Sequence, residues 1–154
     1  MATSTKKVMK NIIFGLFTAW AVSQAAASEG EWLTDLPKAL DRAKAEKKAV
    51  LMDFTGSDWC GWCKRFNKEV FSTAEFKEYA TKNLVLVEVD FPNHKKLGPE
   101  LKKANDGLKN KYKVDGFPTF VVLNGEGREI GRQVGYLEGG PKAFIAKLGT
   151  FKKQ

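Results

Sequence analysis

Val50-Leu51-Met52-Asp53-Phe54-Thr55-Gly56-Ser57-Asp58-Trp59-Cys60-Gly61-Trp62-Cys63-Lys64-Arg65-Phe66 is the stretch on which the reading of this chain turns. It predicts an apolar strand, a short turn, and a helix that opens on Cys-x-x-Cys. These two cysteines are the only ones in the 154 residues. At helical spacing i, i+3 their side chains share a face, with Cβ atoms roughly 5–6 Å apart. A disulfide wants about 3.5–4.5 Å, so a modest adjustment closes the pair. Cys60 falls in the opening turn, where free backbone N–H groups and the helix dipole favour an anion. That lowers a thiol pKa and marks Cys60 as the nucleophile. Cys63, expected to lie deeper, resolves the mixed disulfide. Asp58 or Ser57 reads as the N-cap.

Moving outward, the N-terminus has a different composition. Lys6, Lys7 and Lys10 precede an apolar run from Ile12 to Val22, and Ala25-Ala26-Ala27 offers a small-residue cleavage site. That order reads as a signal peptide over residues 1–27, followed by one domain over 28–154. The rival reading is an uncleaved anchor, but a spanning helix needs about 20 apolar residues. Removing the leader would lower the net charge from +8 to +5. A mildly basic surface of this kind serves solubility, and no aromatic-plus-Arg tract argues for nucleic acid. The expected location is therefore exported, periplasmic or extracellular. A Cys60–Cys63 bridge closes a very short loop and restricts the unfolded chain little, which favours a redox pair over a staple. Zinc would need four ligands, and His94 is the one remaining nitrogen donor, so no metal is expected. Haem attachment fails because Lys64 follows the second cysteine. No cofactor is expected.

The rest of the chain supplies the frame. Ser28 to Trp32 reads as a polar lead-in. Leu36, Ala39, Leu40 and Ala43 predict a helix with Asp35 as N-cap and Pro37 in its first turn. Val50 to Phe54 is a strand buried on both faces. Ser72-Thr73-Ala74-Glu75 is a capping-box pattern opening a helix over 73–81. Leu84 to Asp90 is a strand, joined to the first by a right-handed parallel crossover. Leu97, Leu101, Ala104 and Leu108 give a helical stripe ending near Tyr112, with a basic outer face. Thr119 to Leu123 and Arg128 to Val134 form a hairpin around Asn124–Gly127. Pro141 to Leu148 is a terminal helix with Phe144, Ile145 and Leu148 inward.

Asp53-Phe54, then Trp59-Cys60-Gly61-Trp62-Cys63-Lys64, then Gly116-Phe117-Pro118-Thr119 together resemble the thioredoxin family. The resemblance covers about Lys48 to Gly149. It implies an α/β fold with a central mixed sheet of about four strands flanked by helices. It implies that Cys60 and Cys63 are catalytic. It also implies that Asp53 exchanges protons with Cys63, against the plainer reading of a strand-end turn residue. It places Trp59, Gly61, Trp62, Phe117 and Pro118 at the substrate-binding surface, with Phe117–Pro118 as the family's cis-proline. Trp62 otherwise reads as a simple exposed aromatic. Two departures stand out: Asp53 lies one residue further from Cys60 than usual, and Leu86 occupies the place, four before Asp90, that is often lysine.

The function expected is that of an extracytoplasmic thiol–disulfide oxidoreductase acting on protein disulfides or thiols. The dipeptide lacks the histidine that would stabilise a thiolate in strongly oxidising relatives, so reduction is favoured. Reduction outside the cytosol implies a membrane electron-transfer partner. The rival is a non-catalytic binding module or chaperone on the same scaffold, using Trp62 and Phe117.

Overall fold

The computed structural model describes Met1 and residues 30–151, so the expected leader and its cleavage site lie outside the described residues. Five strands form one mixed sheet in the order β1-β3-β2-β4-β5. They are β1 (Trp32–Leu33), β2 (Ala49–Thr55), β3 (Leu84–Asp90), β4 (Thr119–Leu123) and β5 (Glu129–Val134). The extra strand relative to the sequence reading is β1. Two residues are too few to show an alternation, yet Trp32 and Leu33 pair in parallel with Leu86 and Val87. β2 lies parallel to β3 and antiparallel to β4, and β4 runs antiparallel to β5 with a bulge at Val122/Leu123.

Every residue of β2 is buried, as its near-continuous apolar run requires for a central strand. Its side chains alternate between two cores. Ala49 and Leu51 join Phe66, Val70, Phe71, Phe76, Phe120 and Phe144 on one face. Val50, Met52 and Phe54 join Leu36, Ala39, Ala43, Val87 and Val121 on the other.

The first face is covered by α2 (Gly61–Phe66), which continues into a π-helical turn, Asn67–Phe71, then by α3 (Ala74–Asn83) and α5 (Gly140–Phe151). The second is covered by α1 (Leu36–Glu46), capped by the Asp35 carboxylate, which accepts from the Lys38 amide. α4 (Pro99–Lys111) departs from its predicted stripe. Its one buried residue is Asn105, whose amide donates to the Asp90 carbonyl at 2.9 Å. Leu101, Ala104 and Leu108 instead line a groove shared with Leu36, Pro37 and Leu40 of α1. At α3 the cap is Thr73, whose hydroxyl oxygen accepts from Phe76 N–H. Ser72 turns away and donates to the Asn67 side chain.

Candidate active site

Gly56 begins the turn that delivers the cysteines. Amides of Trp59 and Cys60 both donate to its carbonyl, at 3.2 and 2.8 Å. A Cβ on Gly56 would stand 2.5 Å from the Trp59 indole, so glycine is what lets the ring lie over the turn. Asp58 and Ser57 do not cap α2. Ser57 gives its amide and hydroxyl to the Asp90 carboxylate, at 2.9 and 2.6 Å. Asp58 accepts the amides of Asn93, His94 and Lys95, at 2.9, 2.7 and 3.0 Å. The Asn93 amide first, then those of Lys95 and His94, hold the Asp58 carboxyl down to about 2. His94 thus enters through its backbone amide.

The N-cap is Cys60 itself, with extended backbone (φ −75°, ψ 106°), and its Sγ accepts the Cys63 amide at 3.2 Å. Because Cys60 stands outside the helix, the pair departs from ideal i, i+3 geometry and is bridged, with Cα atoms 5.3 Å apart. The two cysteines differ in position but not in depth, each being 6% exposed.

Two aromatic groups flank the bridge. On one side Trp59, 44% exposed, donates its indole N–H to the Phe91 carbonyl at 2.7 Å. It meets Phe117 edge-on with centroids 6.0 Å apart, and Phe117 stacks on Phe91 at 5.2 Å. On the other side Trp62, 56% exposed, leans on Tyr136 at 5.2 Å. The Arg65 guanidinium lies over both rings, at 5.6 and 4.9 Å, and bonds Glu69 at 2.9 Å. Tyr136 also donates to Glu69. Trp62 is therefore a propped ring. Arg65 is turned to this network. Tyr136 and Glu69 carried no local signal, being 67 residues apart.

The Phe117–Pro118 bond is cis, and Pro118 is buried. Its carbonyl accepts the Gly135 amide at 2.8 Å.

Behind the bridge lies a cavity of about 200 Å³ lined by Asp53, Thr55, Ser57, Cys63, Lys64, Asn67 and Glu88. Asp53 is 8% exposed, and its buried Oδ1 has no hydrogen-bond partner. Burial first, then the charges of Glu88 and Asp90, push its carboxyl well above the usual range. This is not the environment of a solvated turn residue. The register shows which residue stands across from it. Leu86 pairs with Leu51 in the core, and the residue across from Asp53 is Glu88.

The thioredoxin-like domain family matches residues 36–152. The disulfide bond reductase DsbH of Chlamydia pneumoniae is 37% identical over 128 residues, covering 83% of this chain and 76% of that protein. A solved structure of a DsbH oxidoreductase superposes with a TM-score of 0.76 at 32% identity, covering 97% of this chain and 95% of that one. The thiol:disulfide interchange protein DsbD of Cronobacter sakazakii is 30% identical over 132 residues, and there the chain spans only 21% of the relative's length. With a bridged Cys60–Cys63 pair at the head of a helix, a buried carboxyl behind it and these relatives, the chain belongs to the thioredoxin-like family and is a thiol–disulfide oxidoreductase.

Proposed function

We propose that this oxidoreductase works as a disulfide reductase outside the cytosol. The observation that carries the reading is the Cys60–Cys63 bridge at a helix start with Gly61-Trp62 between the cysteines. In the reduced protein the Cys60 thiolate attacks a substrate disulfide, forming a mixed disulfide and releasing one substrate thiolate. Cys63 then attacks Cys60 Sγ, the bridge re-forms, and the second substrate sulfur leaves as thiolate. Asp53 takes the Cys63 proton in this step and returns it when the bridge is reduced. Trp59, Gly61, Trp62, Phe117 and Pro118 form the surface against which the substrate segment lies.

Two electrons must then be restored by a dithiol donor. The likeness to part of DsbD supports a membrane electron-transfer protein in that role. The likeness to a disulfide bond reductase supports the direction of flow. Physics supports it too. A couple is oxidising when its thiolate is specially stabilised, and here Trp62 is apolar while Arg65 is engaged elsewhere.

Equilibration with glutathione buffers tests the direction. The expected potential lies nearer the about −270 mV of thioredoxin than the about −120 mV of the strong oxidant DsbA. A value at the oxidant end would make the protein a disulfide donor. Cys63→Ser should trap a mixed disulfide through Cys60; trapping through Cys63 in Cys60→Ser instead would reverse the assignment.

Residues 1–27 are read as a cleaved leader and 28–154 as the domain. Mass spectrometry of the exported protein should find an N-terminus near Ser28, and an intact Met1 would indicate an anchor.

A further inference from the structure

Glu88 is the residue that the known chemistry leaves unexplained. It is half-buried on an otherwise buried strand, directly across the parallel ladder from Asp53, and both line the cavity behind Cys63. A charged residue at such a place costs desolvation, and a second carboxyl beside a buried one adds repulsion. Placing two acids there destabilises the fold unless one of them keeps a proton. The unpartnered Asp53 Oδ1 is the second and independent sign that this carboxyl is not an ordinary anion.

We propose that Glu88 is a positioning residue for the reaction at Cys63, keeping Asp53 in its acid form and passing that proton between the cavity and solvent. The inference rests on the proton-exchange role given to Asp53 above. The groups facing Asp53 are few. From β3 come Glu88 and Asp90, the latter already holding the Ser57 amide and hydroxyl. From α2 come Cys63 and Lys64, from the π turn Asn67, and from β2 itself Thr55. Across β4 the register neighbour is Phe120, which brings no charge. Burial first, then the charge of Asp90, push the Glu88 carboxyl up, and Lys95, on the loop after β3, pulls against them.

When a donor thiolate attacks Cys60 Sγ in the oxidised protein, a new S–S bond forms and the Cys60–Cys63 bond breaks. The electron pair leaves on Cys63, and the Asp53 proton quenches it. Asp53 is then an anion in a cavity with Glu88, and a proton enters from solvent through Glu88 to restore it. In the substrate-reducing direction Asp53 first releases its proton to solvent through Glu88, then takes the Cys63 proton as Cys63 attacks Cys60 Sγ, and is left in its acid form.

The test combines a carboxyl NMR titration of Asp53 in the oxidised protein with the pH profile of its reduction by dithiothreitol, read by tryptophan fluorescence. In Glu88→Gln the Asp53 midpoint should fall by about one pH unit, because a like charge has gone. The pH profile relative to wild type should move with it. Glu88→Lys should lower the midpoint further, and Glu88→Asp should bring it back toward the native value. An Asp53 midpoint unmoved by both Glu88→Gln and Glu88→Lys overturns the proposal, whatever happens to melting temperature. Asp53→Asn separates the two ideas. If it removes the Asp53-dependent part of the profile while Glu88→Gln changes nothing, Asp53 keeps its role and Glu88 loses its own. If Asp53→Asn leaves the profile intact, both fall.

Discussion

Asp53 is destabilising in its charged form, and the sign of that effect can be followed with pH. Its folded pKa stands above its unfolded one, pushed there by burial and by Glu88 and Asp90. Below about pH 3 the carboxyl is protonated in both states and costs nothing. As pH rises, the unfolded chain ionises first, so folding stability falls until the folded group also titrates. Asn has no such dependence. Asp53→Asn should therefore match wild type at about pH 3 and exceed it at about pH 8 by on the order of 2 kcal/mol. Urea unfolding of the oxidised protein at the two pH values reads this directly, and a pH-independent difference would contradict it. The same variant should slow exchange at least about tenfold, a modest share of what general acid–base catalysis supplies. Burial of Asp53 was legible in the apolar run around it. The identity of its neighbour was not, because register is set by pairing across strands and one strand's sequence does not state it.

At the scale of elements, the reading succeeded where a periodicity ran long and failed at the junctions. β3 was placed to the residue, Leu84–Asp90. The cap of α2 was displaced because the competing donors lie far along the chain: Asp58 is taken by amides 35 to 37 residues away, which leaves Cys60 to cap its own helix. This gives Asp58 a definite job. It ties the 93–95 segment, and with it Phe91 and the Trp59 ring that bonds to it, to the turn bearing the cysteines. Asp58→Ala should raise amide exchange at Asn93, His94 and Lys95 roughly tenfold or more while leaving β2 and β3 protected. The tether is complete above about pH 4 and fades as pH falls toward about 2, since the folded pKa is the lower one. Exchange rates that stay at wild-type values would mean that the loop is held by its own packing.

Across the whole molecule, the two cysteines are joined to the fold through one ring. Phe66, the last residue of α2, is 1% exposed and meets Phe120 at 4.4 Å, Phe71 and Phe144 at 5.0 Å and Tyr136 at 6.0 Å. It therefore links the active-site helix to β4, to α5 and to the ring that props Trp62. Phe66 stands three residues after Cys63, on the same helical face, and both are buried. The convergence of residues 71, 120, 136 and 144 on it came only from the topology. Removing the ring should cost about 3–5 kcal/mol, the usual range for a buried phenylalanine cut to alanine. That is a large part of the roughly 5–15 kcal/mol that holds a domain together. Trp59→Ala, at a half-exposed ring, should cost far less stability yet impair substrate reduction. Chemical denaturation and a disulfide-reduction assay on both variants check the contrast. If Phe66→Ala were nearly neutral in stability, the helix carrying the cysteines would be anchored by its neighbours, and the aromatic cluster would be packing without a keystone.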